Sequence, residues 1–231
     1  MLQTRSHSVH TDFPPVLEAP QPLAPAVSTA EPPGTAPLAQ PSTWRPVVHK
    51  LTVEAYHALW HAGHLAENDR IELVDGLLIE MPPLGHPHMT LVNRLTRLLV
   101  RATGDDAVVS VQNSVSLPPW SEPQPDFVLF APRFISVAAG KPTAADVLLV
   151  IEVSDSSLRY DRGTKLALYA QEGLLEFWIV DVAAESIEVC RRPALTGDGV
   201  TYTERTRYAR GEHATVAALP NVAVSVDDVF G

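Results

Sequence analysis

The sequence predicts an α/β (α+β) domain, a mixed β-sheet flanked by helices and entered through an N-terminal helix and a β-hairpin. Three observations carry that prediction. Asp75-Gly76 stands between two β-prone runs, RIELV and LLIEM, the strongest short hairpin signal. Val147-Leu148-Leu149-Val150-Ile151 is a continuous apolar run, as in a strand buried on both faces. Segments with helical spacing, near 88–101 and 157–172, bracket several strand-like runs.

Taken in order, the chain begins with an unfavourable stretch for regular structure. Ten of its 21 prolines fall in the first 46 residues, among Ala, Ser and Thr. Proline fixes φ and removes a backbone donor, so residues 1–43 read as a disordered or polyproline-like extension and 44–231 as one folded domain. A short helix is expected from Thr52 to Ala62, capped by Thr52 and closed by Gly63. The hairpin follows and ends at Pro82-Pro83. In the next helix Leu91, Leu95, Leu98 and Leu99 mark an apolar face, while Arg94, Arg97 and Arg101 recur at i, i+3 and i+7. Strands are expected near 107–117, 125–130 and 146–153, then a helix over 157–172 closed by Gly173. Strands near 175–181, 185–192 and 200–208 and a short C-terminal element, VSVDDVF, complete the chain.

Composition limits the function classes. With 45% hydrophobic and 19% charged residues the chain as a whole is not disordered. A lone Cys190 excludes an internal disulfide framework and a cysteine-built zinc site, and fits a reducing compartment. No apolar run reaches the roughly 18 residues of a membrane span, and the N-terminus lacks an apolar signal-peptide core, so the expected location is cytoplasmic. A net charge of −10 argues against a surface that grips nucleic acid everywhere, but leaves room for a local basic groove or a carboxylate-built metal site.

Three segments carry the chemistry. Asp126 opens the apolar strand PDFVLF. Glu152 ends the buried run of the 146–153 strand, where an ionised group costs several kcal/mol unless compensated. Asp161, Lys165 and Tyr169 lie four apart on the following helix. Two carboxylates at the ends of adjacent buried strands suit a hard divalent cation with phosphate oxygens as further ligands. An ammonium nearby would stabilise charge developing during phosphodiester hydrolysis. The plainer reading makes Glu152 a structural ion-pair partner and Asp161–Lys165 an ordinary helix pair. The chain uses 14 Arg and only three Lys, so a lysine here departs from its own usage.

IELVDG, GHPHM, PQPDF and IEVSDSSLRYDRGTKLALYAQEGLLEFWIVD together resemble the Uma two family of bacterial endonucleases, within the PD-(D/E)XK restriction-endonuclease-like superfamily. The resemblance spans about residues 50–230. It implies a restriction-endonuclease-like core and a nuclease site using Mg²⁺, with Mn²⁺ as an alternative ion. It places Asp126 as the first acid and Glu152 as the second. The superfamily's lysine two residues after the second acid is absent, Ser154 standing there, and the family's lysine maps onto Lys165. Glu72 matches a further acid of the pattern, an additional metal or water-orienting carboxylate. His88 matches a family histidine at a helix start, where it could meet a phosphate or simply cap the helix.

Arg94, Arg97, Arg101, Arg159 and Arg162 are the candidate phosphate contacts, with surface charges paired to the abundant acids as the plainer reading. Tyr169 reads as a core aromatic with a satisfied hydroxyl, and His57, His61 and His64 as a solvated helix end rather than a metal stripe. The leading expectation is a divalent-metal-dependent endodeoxyribonuclease acting on DNA, with Asp126 and Glu152 on the metal, Glu72 assisting and Lys165 positioning the attacking water. A homodimer is expected by analogy, since cutting a duplex needs two cuts. The alternative is a catalytically silent nucleic-acid-binding or protein-interaction module on the same fold. A third reading is a hydrolase of a small phosphorylated substrate.

Overall fold

The structure is a computed structural model and describes residues 47–66, 69–136, 138, 142–197 and 199–231; the expected extension over 1–43 lies outside the described residues. Helix α1 (Val53–His61) starts where Thr52 accepts from the Ala55 amide at 3.2 Å, and the chain leaves it through Gly63 at φ +74°. Strands β1 (Ile71–Val74) and β2 (Leu77–Glu80) form the expected hairpin. Asp75 and Gly76 both take positive φ, 48° and 76°, as a two-residue turn matching strand twist requires.

Helix α2 (His86–Thr103) follows, then β3 (Val108–Val111), β4 (Phe127–Phe130) and β5 (Val147–Ser154). The return helix runs as α3 (Leu158–Tyr160), a π turn (Asp161–Lys165) and α4 (Leu166–Gln171). Next come β6 (Glu176–Asp181), β7 (Ser186–Thr196), β8 (Gly199–Tyr208), β9 (His213–Val216), β10 (Leu219–Ser225) and α5 (Val226–Phe230). Six strands form one sheet in the order β3-β4-β5-β6-β7-β8. Only β5 and β6 are parallel, and a parallel pair needs a crossover, which α3 and α4 supply.

The sheet separates two cores by its period of two. Phe127, Leu129, Leu149, Ile151, Trp178 and Val180 pack with Leu91, Leu95 and Leu99 of α2 and with β10 and α5. Their alternates Val128, Phe130, Val150, Phe177 and Ile179 pack with Leu166, Leu168 and Tyr169 of α4. That parity positions the site. Glu152 shares the α4-facing side with Val150, and the pairing Phe127↔Ile151 brings Asp126 opposite Glu152 at its next step.

Two expectations are corrected. The strand expected over 107–117 ends at Val111, because Gln112 turns to φ +53° and the chain leaves the sheet for a long loop. The β9–β10 hairpin was not anticipated; only VSVDDVF was, and it is the end of β10 with α5. The 112–126 loop is tied to the hairpin. Leu73 and Glu122 exchange backbone bonds of 3.3 and 2.7 Å, and Gly76 N–H reaches Trp120 O at 2.7 Å. This tether carries Glu72 to the sheet's α4-facing side.

Candidate active site

Four polar side chains from four separate segments meet beneath α3 and α4. Asp126, just ahead of β4, has its carboxylate bonded on three sides: Oδ2 accepts from Val153 N–H at 2.9 Å and lies 3.0 Å from His88 Nε2, and Oδ1 accepts from Gln112 Nε2 at 3.2 Å. Glu152 on β5 receives Tyr169 Oη–H at 2.8 Å and Lys165 Nζ at 3.1 Å on Oε1, and the Asp126 amide at 3.3 Å on Oε2. Glu72 on β1 receives Lys165 Nζ at 2.6 Å and the Gln124 amide at 3.1 Å on Oε2, with Tyr160 Oη–H at 3.1 Å on Oε1.

Lys165 is fully buried at 0% exposure. Its ion-pair partners are Glu72 and Glu152, not Asp161, so it is no simple i,i+4 helix pair. The Tyr160 and Tyr169 rings lie 5.9 and 5.8 Å from its ammonium. Burial alone would lower its pKa; the Glu152 and Glu72 charges override that and hold it above the ordinary lysine value. Glu152 goes the other way. Burial pushes it up to about 8 against the pull of Lys165, with the Asp161, Asp126 and Glu72 charges adding to the rise. Burial likewise raises Asp161, although the Ser154 and Ser157 hydroxyls each donate to its Oδ2 at 2.6 Å.

The cluster borders an open cleft of about 280 Å³. Asp126, Glu152 and His88 line it, with Gln112, Arg70, Asp155 and Ser157. Glu72 and Lys165 do not; they stand behind Glu152. Lys165 and Glu72 pair with each other, and Lys165 meets the cleft lining through its ion pair with Glu152. His88 is 8% exposed, and its Nδ1 is buried with no hydrogen-bond partner among the described residues.

The expected arginines are not in the cleft lining. Arg162 is held by Asp181 at 3.0 Å and Glu188 at 2.9 Å. Arg94 reaches Val229 O at 3.4 Å. Arg97, Arg101 and Arg159 are exposed and make no ion pair among the described residues. His57 pairs with Glu122, while His61 and His64 are exposed, so the three histidines form no common site. Gln112, Tyr160 and the amide of Gln124 were missed by sequence reasoning. Tyr160 lies five residues before Lys165, a spacing that brings side chains together only across a π turn.

A divalent cation can be tested against these donors. A carboxylate offers about four lone-pair positions, and Asp126 and Glu152 each use three here. Asp126 Oδ1 and Glu152 Oε2 carry one bond each and belong to the two acids lining the cleft. Of the three buried carboxylates, Glu72 and Glu152 share one lysine ammonium and Asp126 has none, leaving negative charge that a hard cation would offset. The donor set fits such an ion through two acids. No group of three or more His, Cys, Asp or Glu is arranged as a ligand set among the described residues.

Comparison with known proteins gives a consistent picture. The family model described as "Uma2: Putative restriction endonuclease" matches residues 53–227. A solved structure described as a putative nuclease belonging to DUF820, from Anabaena variabilis, superposes with a TM-score of 0.61 at 14% identity, over 78% of this chain and 97% of that one. The six-stranded mixed sheet flanked by helices is thus a restriction-endonuclease-like core. No curated protein matches the chain.

Proposed function

The chain belongs to the Uma2 family, and from that premise we propose that it is a divalent-metal-dependent endonuclease that hydrolyses DNA phosphodiester bonds. The observation that carries this reading is the pairing of Asp126 and Glu152 across β4 and β5 at the floor of an open cleft, backed by one buried lysine. Asp126 and Glu152 would hold the ion. When bound, it would supply charge neutralisation at the phosphoryl oxygens as hydrolysis proceeds.

The protein's own groups orient the two acids. Val153 N–H, His88 and Gln112 fix the Asp126 carboxylate from three directions. Lys165 and Tyr169 hold Glu152 Oε1, which leaves Oε2 on the Asp126 side. Glu72 keeps Lys165 protonated and in place, so both are positioning residues acting through Glu152. Arg97, Arg101 and Arg159 remain available to DNA phosphates outside the cleft.

A silent binding module on the same fold is the second reading. What favours it is that Lys165 already supplies an ion-pair partner to both Glu152 and Glu72 without an ion. Cleavage of plasmid and single-stranded DNA with Mg²⁺ or Mn²⁺ separates the two, read beside Glu152→Ala and Asp126→Asn. The nuclease reading expects metal-dependent cutting abolished by both changes, and a metal-dependent rise in Tm lost in Asp126→Asn. DNA binding with no cutting, and a Tm indifferent to metal, would establish the module instead.

A further inference from the structure

Beside the cleft lies a second concavity of about 310 Å³ that no step of the proposed hydrolysis uses. Tyr56, His57 and Trp60 of α1 form one wall, and Ser114 and Glu122 of the 112–126 loop form another. Asp69 and Gln124 line both spaces, so the two concavities are neighbours along one surface.

Its chemistry differs from the cleft's. Trp60 and Tyr56 meet edge to face, with centroids 6.0 Å apart at 81°. Glu122 is 9% exposed, and His57 Nε2 lies 3.0 Å from each of its carboxylate oxygens. Ser114 Oγ is 3.4 Å from Oε1. An aromatic wall beside an imidazole–carboxylate pair suits a flat, neutral ring that carries N–H donors. The acids Glu122 and Asp69 disfavour a phosphate in the same place. A metal fits no better, since no ligand set of three or more His, Cys, Asp or Glu occurs among the described residues. The volume stands at the small end of the roughly 300–1,000 Å³ of small-ligand sites, enough for one ring system and not for the edge of a duplex.

We propose that this concavity receives one unpaired nucleobase of the strand whose phosphate occupies the cleft, stacking on Trp60 and donating amino or ring N–H groups to Glu122. The proposal rests on the reading of the cleft as a DNA phosphodiester site. It makes the protein a reader of exposed bases, because a base held in a duplex would first have to be unstacked and unpaired. It favours cytosine, adenine and guanine, which carry exocyclic amino groups, over thymine, whose one donor is its ring N3–H.

The test uses the full chain and single-stranded oligonucleotides of equal length: oligo(dC), oligo(dA), oligo(dT) and a wholly abasic tract. Binding is read by fluorescence anisotropy with Ca²⁺, and cutting with Mg²⁺ or Mn²⁺. The expected order is dC and dA tighter than dT, with the abasic tract weaker than dC by about tenfold or more. Trp60→Ala brings dC down to the abasic level, Trp60→Phe restores it, and Glu122→Gln removes the preference for dC over dT. Thermal melting identifies any variant that has lost its fold, and the wild-type comparison of abasic with base-bearing tracts holds regardless. Equal wild-type binding and cutting of abasic and base-bearing tracts overturns the base site and leaves the nuclease reading standing. Wild-type discrimination untouched by Trp60→Ala and Glu122→Gln in folded variants also overturns it. Absence of both binding and metal-dependent cutting on every tract brings down the two readings together.

Discussion

Lys165 is a charged group without water, and its value to the site depends on both of its partners. Its ammonium contacts Glu72 at 2.6 Å and Glu152 at 3.1 Å at 0% exposure. Removing one partner of a buried ion pair leaves the other charge uncompensated, at a cost of about 3–5 kcal/mol. Lys165→Met therefore destabilises the domain by about that amount in urea unfolding; a loss below about 1 kcal/mol would mean the cluster is wet. Glu152 gives a pH-dependent counterpart. Its folded pKa is raised to about 8, so the folded chain keeps a proton that the unfolded chain releases near about 4.3. Wild-type stability attributable to this group is complete below the unfolded value and falls as pH rises toward the folded one. Glu152→Gln lacks that titration. The stability difference should move in favour of Gln by on the order of 1 kcal/mol per pH unit between about pH 5 and about pH 7.5, measured with chelator present. A difference that does not change with pH would mean that Glu152 stays ionised across that range, held by Lys165.

The π turn at Asp161–Lys165 interrupts what the sequence presents as one helix. Closing i to i+5 adds a residue to the turn, and such bulges are frequent at functional sites. Here it lets Tyr160 reach Glu72 while Lys165 and Tyr169 reach Glu152. Gly163 sits within it, exposed, at ordinary φ, and a Cβ there meets nothing within 4 Å. Gly163→Ala should stabilise the protein by about 0.5–1 kcal/mol in urea unfolding, by restricting the unfolded chain. Destabilisation would mean that the turn needs glycine's freedom. Much of this architecture was legible because local chemistry decides it: Thr52 as cap, Asp75-Gly76 as turn, and the ends of two apolar strands for Asp126 and Glu152. Lys165 was found by its residue type, yet its burial behind Glu152 was not, since helical spacing reports neighbours on the same helix and not the depth of a side chain. The β9–β10 hairpin escaped because its first strand is only four residues long and its burial comes from contacts with α2 and the sheet. Gln112 left no signal, its φ of +53° being imposed by the loop.

At the scale of the whole molecule, the net charge of −10 limits the proposed grip on DNA. With Arg162 engaged by Asp181 and Glu188, the exposed Arg97, Arg101 and Arg159, with Arg70 of the cleft lining, leave about four phosphates to neutralise. The slope of log Kobs against log salt should then be no steeper than about −4; a slope near about −8 would require a basic surface elsewhere. No helix among the described residues is long and apolar enough to cross a membrane. The pairing of Phe127 with Ile151 has a larger effect than its place in the sheet suggests. Slipping that ladder by one residue would turn Asp126 toward the α2 layer while Glu152 stayed with Lys165, and no cleft would hold both acids. On the nuclease reading, the ladder thus guards the proposed activity: a chain whose central strands docked out of register would lack the paired acids and would be harmless to DNA.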